Sequence, residues 1–98
     1  MEFNFGKAIE ALKSGQLVTR KGWNGKDMFL FYREESIVPI QVIKTLPDRV
    51  KIYFNNKSLT ETKFTGYLCM KAADNSIVNG WLASQTDVLA EDWQLYIV

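Results

Sequence analysis

The chain has 98 residues, 47% of them apolar and 23% charged, with twelve Lys plus Arg against eleven Asp plus Glu and a formal net charge of +1. That length fits one domain, and the near-neutral balance disfavours general duplex binding, which draws on a basic excess. The absence of His and the single Cys, Cys69, remove the commonest general base, any Ser-His or Cys-His nucleophile pair, a disulfide within the chain and a thiolate zinc cluster.

A lone Cys suits a reducing cytosol. The first residues carry no secretory pattern. The longest apolar stretch, Met28 to Tyr32, is too short to span a bilayer.

The first element in chain order is a helix. Phe5, Ala8, Ile9 and Leu12 recur at i, i+3, i+4 and i+7 and share one face. Asn4 is the expected N-cap, Lys13 suits the last turn, and Gly15 is the expected stop. Leu17 to Arg20 reads as a strand, Lys21 to Asp27 as a turn rich in Gly and Asn, and Met28 to Tyr32 as a buried strand; together they predict a hairpin. Ile37 to Ile43 is β-branched but interrupted by Pro39, which predicts an edge strand or a loop.

Leu46-Pro47-Asp48 reads as a turn. Val50 to Phe54 alternates and reads as a strand, and Ser58 to Thr65 as a loop or exposed strand. Tyr67 to Lys71 and Ile77-Val78 read as strands on either side of a turn at Ala73 to Ser76. A short helix is expected from Ser84, with Val88, Leu89 and Ala90 packing inward. Asp92 to Val98 reads as a final strand. The fold class expected is α+β: a small single domain over residues 1–98, its N-terminal helix packed on an antiparallel sheet, with a short second helix near the C-terminus.

Two segments carry candidate chemistry. Arg20-Lys21-Gly22-Trp23-Asn24-Gly25-Lys26 sets two cations, an aromatic and an amide on a glycine-containing turn. Arg20 or Lys21 suits a phosphate, and Trp23 suits a stacked base; the alternative is a polar turn whose Trp folds back on the core. Asn79 to Asp87 brings Trp81, Ser84, Gln85, Thr86 and Asp87 to a helix start, where hydroxyl and amide groups suit an anion and Asp87 suits ribose hydroxyls. There the alternative is that Ser84 is only a cap and Trp81 only core.

Paired-carboxylate catalysis is not indicated. Glu34-Glu35 and Glu91-Asp92 are adjacent, so in a strand each pair points to opposite faces, and the acids read as solvated. Cys69 reads as a small packed residue. No metal ligands and no cofactor are expected.

Phe5-Gly6-Lys7-Ala8-Ile9-Glu10-Ala11-Leu12, then Arg20 to Lys26, then Met28-Phe29-Leu30, resemble the start of the second Thoeris anti-defence family of phage proteins. Gly80-Trp81-Leu82-Ala83-Ser84-Gln85-Thr86-Asp87-Val88-Leu89-Ala90-Glu91-Asp92-Trp93 is similar to that family's closing motif. Residues 33–66 carry no such signature and read as a variable insertion.

The resemblance implies a sponge. Members hold the cyclic ADP-ribose isomer (glycocyclic ADP-ribose) made by the host's Thoeris enzyme, without cleaving it, so the effector stays off. It also implies homotetramers with pockets between subunits, and for some members cyclic dinucleotides as further ligands. A location in the cytoplasm of the infected host follows, with no DNA or membrane partner and no enzymatic activity. The ligand-binding residues it marks as a group are Arg20, Lys21, Trp23, Asn24, Trp81, Ser84, Gln85, Thr86 and Asp87.

Overall fold

A computed structural model describes residues Met1–Val98. In chain order the elements are α1 (Phe5–Lys13), β1 (Val18–Arg20), β2 (Phe29–Arg33), β3 (Ser36–Pro39), a 3-10 turn (Ile40–Val42), α2 (Asp48–Asn56), β4 (Glu61–Phe64), β5 (Tyr67–Lys71), β6 (Ile77–Asn79), α3 (Gln85–Leu89) and β7 (Trp93–Leu95). They form two compact units, Met1–Arg33 with Tyr67–Val98, and Glu34–Gly66. The fold is α+β, with the N-terminal helix, the antiparallel sheet and the late short helix that the sequence implies. No helix is long and apolar enough to cross a membrane.

The larger unit is a five-stranded antiparallel sheet in the order β6-β5-β2-β1-β7, with α1 over one face. The Asn4 side chain accepts from the Lys7 N–H at 2.9 Å and starts α1. Gly15, at φ 94°, ends it in the left-handed region that favours glycine. Ala8 and Leu12 are fully buried on the inner face of α1. Val18, Leu30 and Met70 sit directly opposite one another on β1, β2 and β5, so they share the face beneath the helix. Trp93 on β7 completes this core and is its largest fully buried side chain. Burial of each large side chain stabilises the fold by about 1.5–3 kcal/mol.

The two sheet edges differ. At β7, Phe3 pairs with Trp93 on its outer side, through Phe3 N–H to the Trp93 carbonyl at 2.8 Å and Trp93 N–H back to Phe3 at 3.1 Å. At β6 all three residues are exposed and no further strand follows. The final strand stops at Leu95, and Ile97 and Val98 lie open to solvent rather than extending it.

The smaller unit pairs β3 with β4, Ser36 opposite Phe64 through Pro39 opposite Glu61. Pro39 thus lies in a strand of a two-stranded ribbon, where a missing N–H is tolerated. Residues 50–54, expected as a strand, lie instead inside helix α2. Pro47, at φ −57° and ψ 144°, presets the helix entry, and Asp48 in the first turn suits the dipole. Val50 and Phe54 also fit a helical i, i+4 spacing, so period-two reading alone misassigned the segment. Ile40 is the one buried residue of this unit. A groove of about 620 Å³ runs beside it, lined by Val42, Lys51, Ile52 and Leu59 among others.

Candidate functional site

The β1–β2 loop and the 80–92 segment meet at one end of the sheet of the larger unit. The connection begins in the backbone: the Lys21 N–H donates to the Asp92 carbonyl at 3.1 Å, continuing the β1–β7 register. Gly22 then turns so that its N–H donates to Asp92 Oδ2 at 2.8 Å. A Cβ on Gly22 would stand 2.8 Å from that oxygen, so only glycine permits this approach. The Trp23 N–H closes the turn on the Arg20 carbonyl at 3.2 Å.

Arg20 bridges two carboxylates. Its Nε donates to Asp92 Oδ1 at 2.8 Å and its Nη1 to Asp87 Oδ1 at 2.9 Å. The Arg20, Asp87 and Asp92 side chains are 14%, 13% and 26% exposed. Asp87 is also engaged from other directions. Trp23 Nε1 donates to its Oδ1 at 3.2 Å, while the Ser84 N–H and hydroxyl donate to its Oδ2 at 3.1 and 2.8 Å. The Ser84 hydroxyl in turn accepts from the Asp87 N–H, so Ser84 and Asp87 form a capping box on α3. The place an anion would take at this helix start is held by the chain's own carboxylate.

These donors set the protonation states. The hydrogen bond from Arg20 is the largest influence on Asp92 and holds its carboxyl below the ordinary value. At Asp87, burial pushes the carboxyl up, but hydrogen bonds from Arg20, Ser84 and Trp23 outweigh it and leave the value lowered. Both are therefore ionised at neutral pH. With Arg20 they carry a net charge of −1.

Three indoles pack above it. The Trp23 ring meets Trp93 at 5.3 Å and Trp81 at 6.1 Å, and Trp81 meets Trp93 at 6.4 Å, all edge to face, an attractive arrangement for aromatic quadrupoles. Trp93 is fully buried and donates its Nε1–H to the Asp87 carbonyl at 2.9 Å. Trp23 and Trp81 are only half-buried and keep part of their ring surface exposed.

The sequence-derived candidates fall into two groups. Arg20, Trp23, Trp81, Ser84 and Asp87 form the connected cluster just described, with Ser84 at its exposed margin. Lys21, Asn24, Gln85 and Thr86 are exposed around it, and their side chains take no part in the network; the Lys21 amine stands 3.9 Å from Glu2. Sequence reading missed Asp92, Gly22 and Trp93 as parts of this site. By sequence Asp92 reads as a solvated acid, yet it receives both Arg20 and the Gly22 N–H. The available signal was an Arg at one motif and two carboxylates within the other.

Comparison with known proteins gives this arrangement a family. The family model of the Thoeris anti-defense 2-like domain matches residues 3–96, the Glu34–Gly66 unit included. The protein "Thoeris anti-defense 2" of Bacillus phage SP01 is 40% identical over 94 residues, covering 96% of this chain and 94% of that protein. A chain matched over nearly its whole length in both ways belongs to the Thoeris anti-defense 2-like family.

Proposed function

We propose that this protein acts against a bacterial Thoeris defence by holding its cyclic ADP-ribose-type signal, glycocyclic ADP-ribose, without cleaving it. The observation that carries the reading is the joining of the two motif segments into one surface by Arg20, Asp87 and Asp92. On that surface, two half-buried indoles stand beside a polar rim. Trp23 or Trp81 stacks the adenine. Lys21 neutralises the pyrophosphate as a point charge. Asn24, Gln85 and Thr86 supply hydrogen bonds to ribose hydroxyls and base edges.

Arg20 acts through position rather than on phosphate, because Asp87 and Asp92 already satisfy its fork. The same engagement favours retention over chemistry. Asp87 and Asp92 are kept ionised and occupied by donors, so neither is free to work as a general base or acid near pH 7. A homotetramer with the site between subunits shields the bound signal from water, and cyclic dinucleotides offer a second ligand class with the same base and phosphate chemistry.

The test is retention and recovery. Purified protein is mixed with the signal, the free fraction is filtered off, the protein is heated, and the released molecule is identified by mass spectrometry. Signal lost from the filtrate and recovered unchanged on heating is the expected result. Recovery only as breakdown products would make the protein an enzyme. A full filtrate would remove this ligand and leave cyclic dinucleotides, tested next in the same way, and then direct inhibition of a defence protein.

A further inference from the structure

We infer that the β6 edge pairs antiparallel with the β6 edge of a second copy of this chain, about a two-fold axis at Val78. The inference rests on backbone register and not on the signal-holding reading above.

The register of β5 and β6 sets Cys69 opposite Asn79, Met70 opposite Val78 and Lys71 opposite Ile77. Beyond this run the Ala72 N–H donates to the Ser76 carbonyl at 2.9 Å, so residues 72 and 76 stand at a hydrogen-bonded position of the ladder and Ala72 turns its N–H toward β6. Such pairs alternate along an antiparallel ladder. Met70 and Val78 are therefore the next, and Val78 spends its N–H and carbonyl on β5. Ile77 and Asn79 consequently point their N–H and carbonyl groups outward, away from the sheet.

Those four outward groups are self-complementary. A second β6 running antiparallel, with Val78 opposite Val78, sets Ile77 opposite Asn79 of the second copy, and Asn79 opposite Ile77 of the second copy. Each opposed pair exchanges two backbone hydrogen bonds, four in all, and no outward group of β6 is left over. This is the isologous pattern of a two-fold dimer. The side chains agree with it. Ile77 and Val78 are 49% and 44% exposed. The strand holds no Pro and no charge, so the residues that commonly guard an edge from pairing are missing. The other edge is closed at Trp93 by Phe3, which leaves β6 as the edge available for extension. Two sheets joined here make one ten-stranded sheet.

A two-fold axis makes residue 78 meet itself, and that provides the test. Val78→Lys and Val78→Glu each place like charges directly opposite, which is destabilising, whereas a mixture of the two places Lys opposite Glu. The solution mass of each is measured by light scattering, and folding is checked from the amide spectrum. Amide exchange at Ile77 and Asn79 is read in the unaltered protein.

The expected results are a multimeric unaltered protein, a mass halved in each variant and recovered on mixing, and Ile77 and Asn79 amides at least about tenfold slower to exchange in the unaltered protein than in the variants. Asn79→Pro, which removes an N–H that β5 does not use, is expected to halve the mass as well. A single-chain mass for the unaltered protein, an unchanged mass in folded variants, or free exchange at these two amides in a multimer would each overturn the inference. The last readout needs no variant to fold.

Discussion

Arg20 donates to Asp92 at 2.8 Å across 72 positions of sequence, and the same guanidinium reaches Asp87 at 2.9 Å. One side chain on β1 thereby fixes the 80–92 segment at both the start of α3 and the entry to β7. Replacing Arg20 by Leu leaves two carboxylates without their common cation. The pair is neither fully exposed nor fully buried, so the cost falls between the two limits, at about 2 kcal/mol. For a chain of this size that lowers the melting temperature by roughly 8–16 °C, readable by calorimetry. Arg20→Lys is expected to recover little of it, since one ammonium does not reproduce a fork held between two acids.

The same contacts predict an acid limb. Asp87 and Asp92 both have folded values below the ordinary 3.8. A depressed carboxylate contributes stability that is complete above its unfolded value and is lost as pH falls through the lower folded one. The protein is thus expected to hold a level melting temperature down to about pH 5 and to lose stability steeply below pH 4. Arg20→Leu removes the cause that leads for Asp92, so its profile is expected to be flatter there. A parallel profile in the variant would show that other carboxylates set the limb.

Gly22 and Gly6 give opposite expectations for one substitution. At Gly22 an added Cβ drives into the Asp92 carboxylate, whereas at Gly6 it meets only the Asn4 Oδ1 at an ordinary 3.4 Å within α1. Gly22→Ala is expected to destabilise by about 1.5 kcal/mol, the scale of a lost hydrogen bond to a charged group. Gly6→Ala is expected to stabilise by a few tenths to about 1 kcal/mol. Denaturant midpoints of the two variants check both signs.

How far the sequence disclosed all this depends on where the determining contact lies. Helix α1 was readable because Asn4, Gly15 and the Phe5 to Leu12 spacing are local signals. The hairpin of β1 and β2 was readable for the same reason. Helix α2 was not: Val50, Ile52 and Phe54 alternate, and Pro47 reads as a turn as readily as a helix entry. The candidate site was legible as two segments, from its residue types and the family likeness. Its wiring was not, because the Arg20–Asp92 and Gly22–Asp92 contacts join positions about 70 apart, and no local period records such a pairing.

Trp23 separates ligand binding from support of the fold. Its ring packs on the buried Trp93 and its Nε1 donates to Asp87, so Trp23→Ala removes both packing and a hydrogen bond. The half-buried ring makes that a loss of about 2 kcal/mol, below the range for full burial. Trp23→Phe keeps a ring and loses the N–H. In the filtration assay, Trp23→Ala is expected to release the signal to the filtrate, and Trp23→Phe to retain part of it. Equal, full retention by both would remove Trp23 from the ligand contacts.

The Glu34–Gly66 unit is bounded by Arg33 and Tyr67, which are paired directly across β2 and β5. The ladder parity extends to them. Val78 occupies the backbone groups of Met70, so alternate residues Lys71, Cys69 and Tyr67 turn theirs toward β2, and Arg33 with Tyr67 is a hydrogen-bonded pair. That is the pair a two-residue turn closes, and Asn-Gly suits it. Every residue of the main core lies in Met1–Arg33 or Tyr67–Val98. Joining Arg33 to Tyr67 by Asn-Gly in place of residues 34–66 is therefore expected to give a chain that still melts cooperatively, with the amide shifts of Leu30, Met70 and Trp93 kept. Loss of the cooperative transition would show that this core does not hold the sheet without the excised unit. Retained folding with loss of signal retention would instead place a part of the binding surface within Glu34–Gly66.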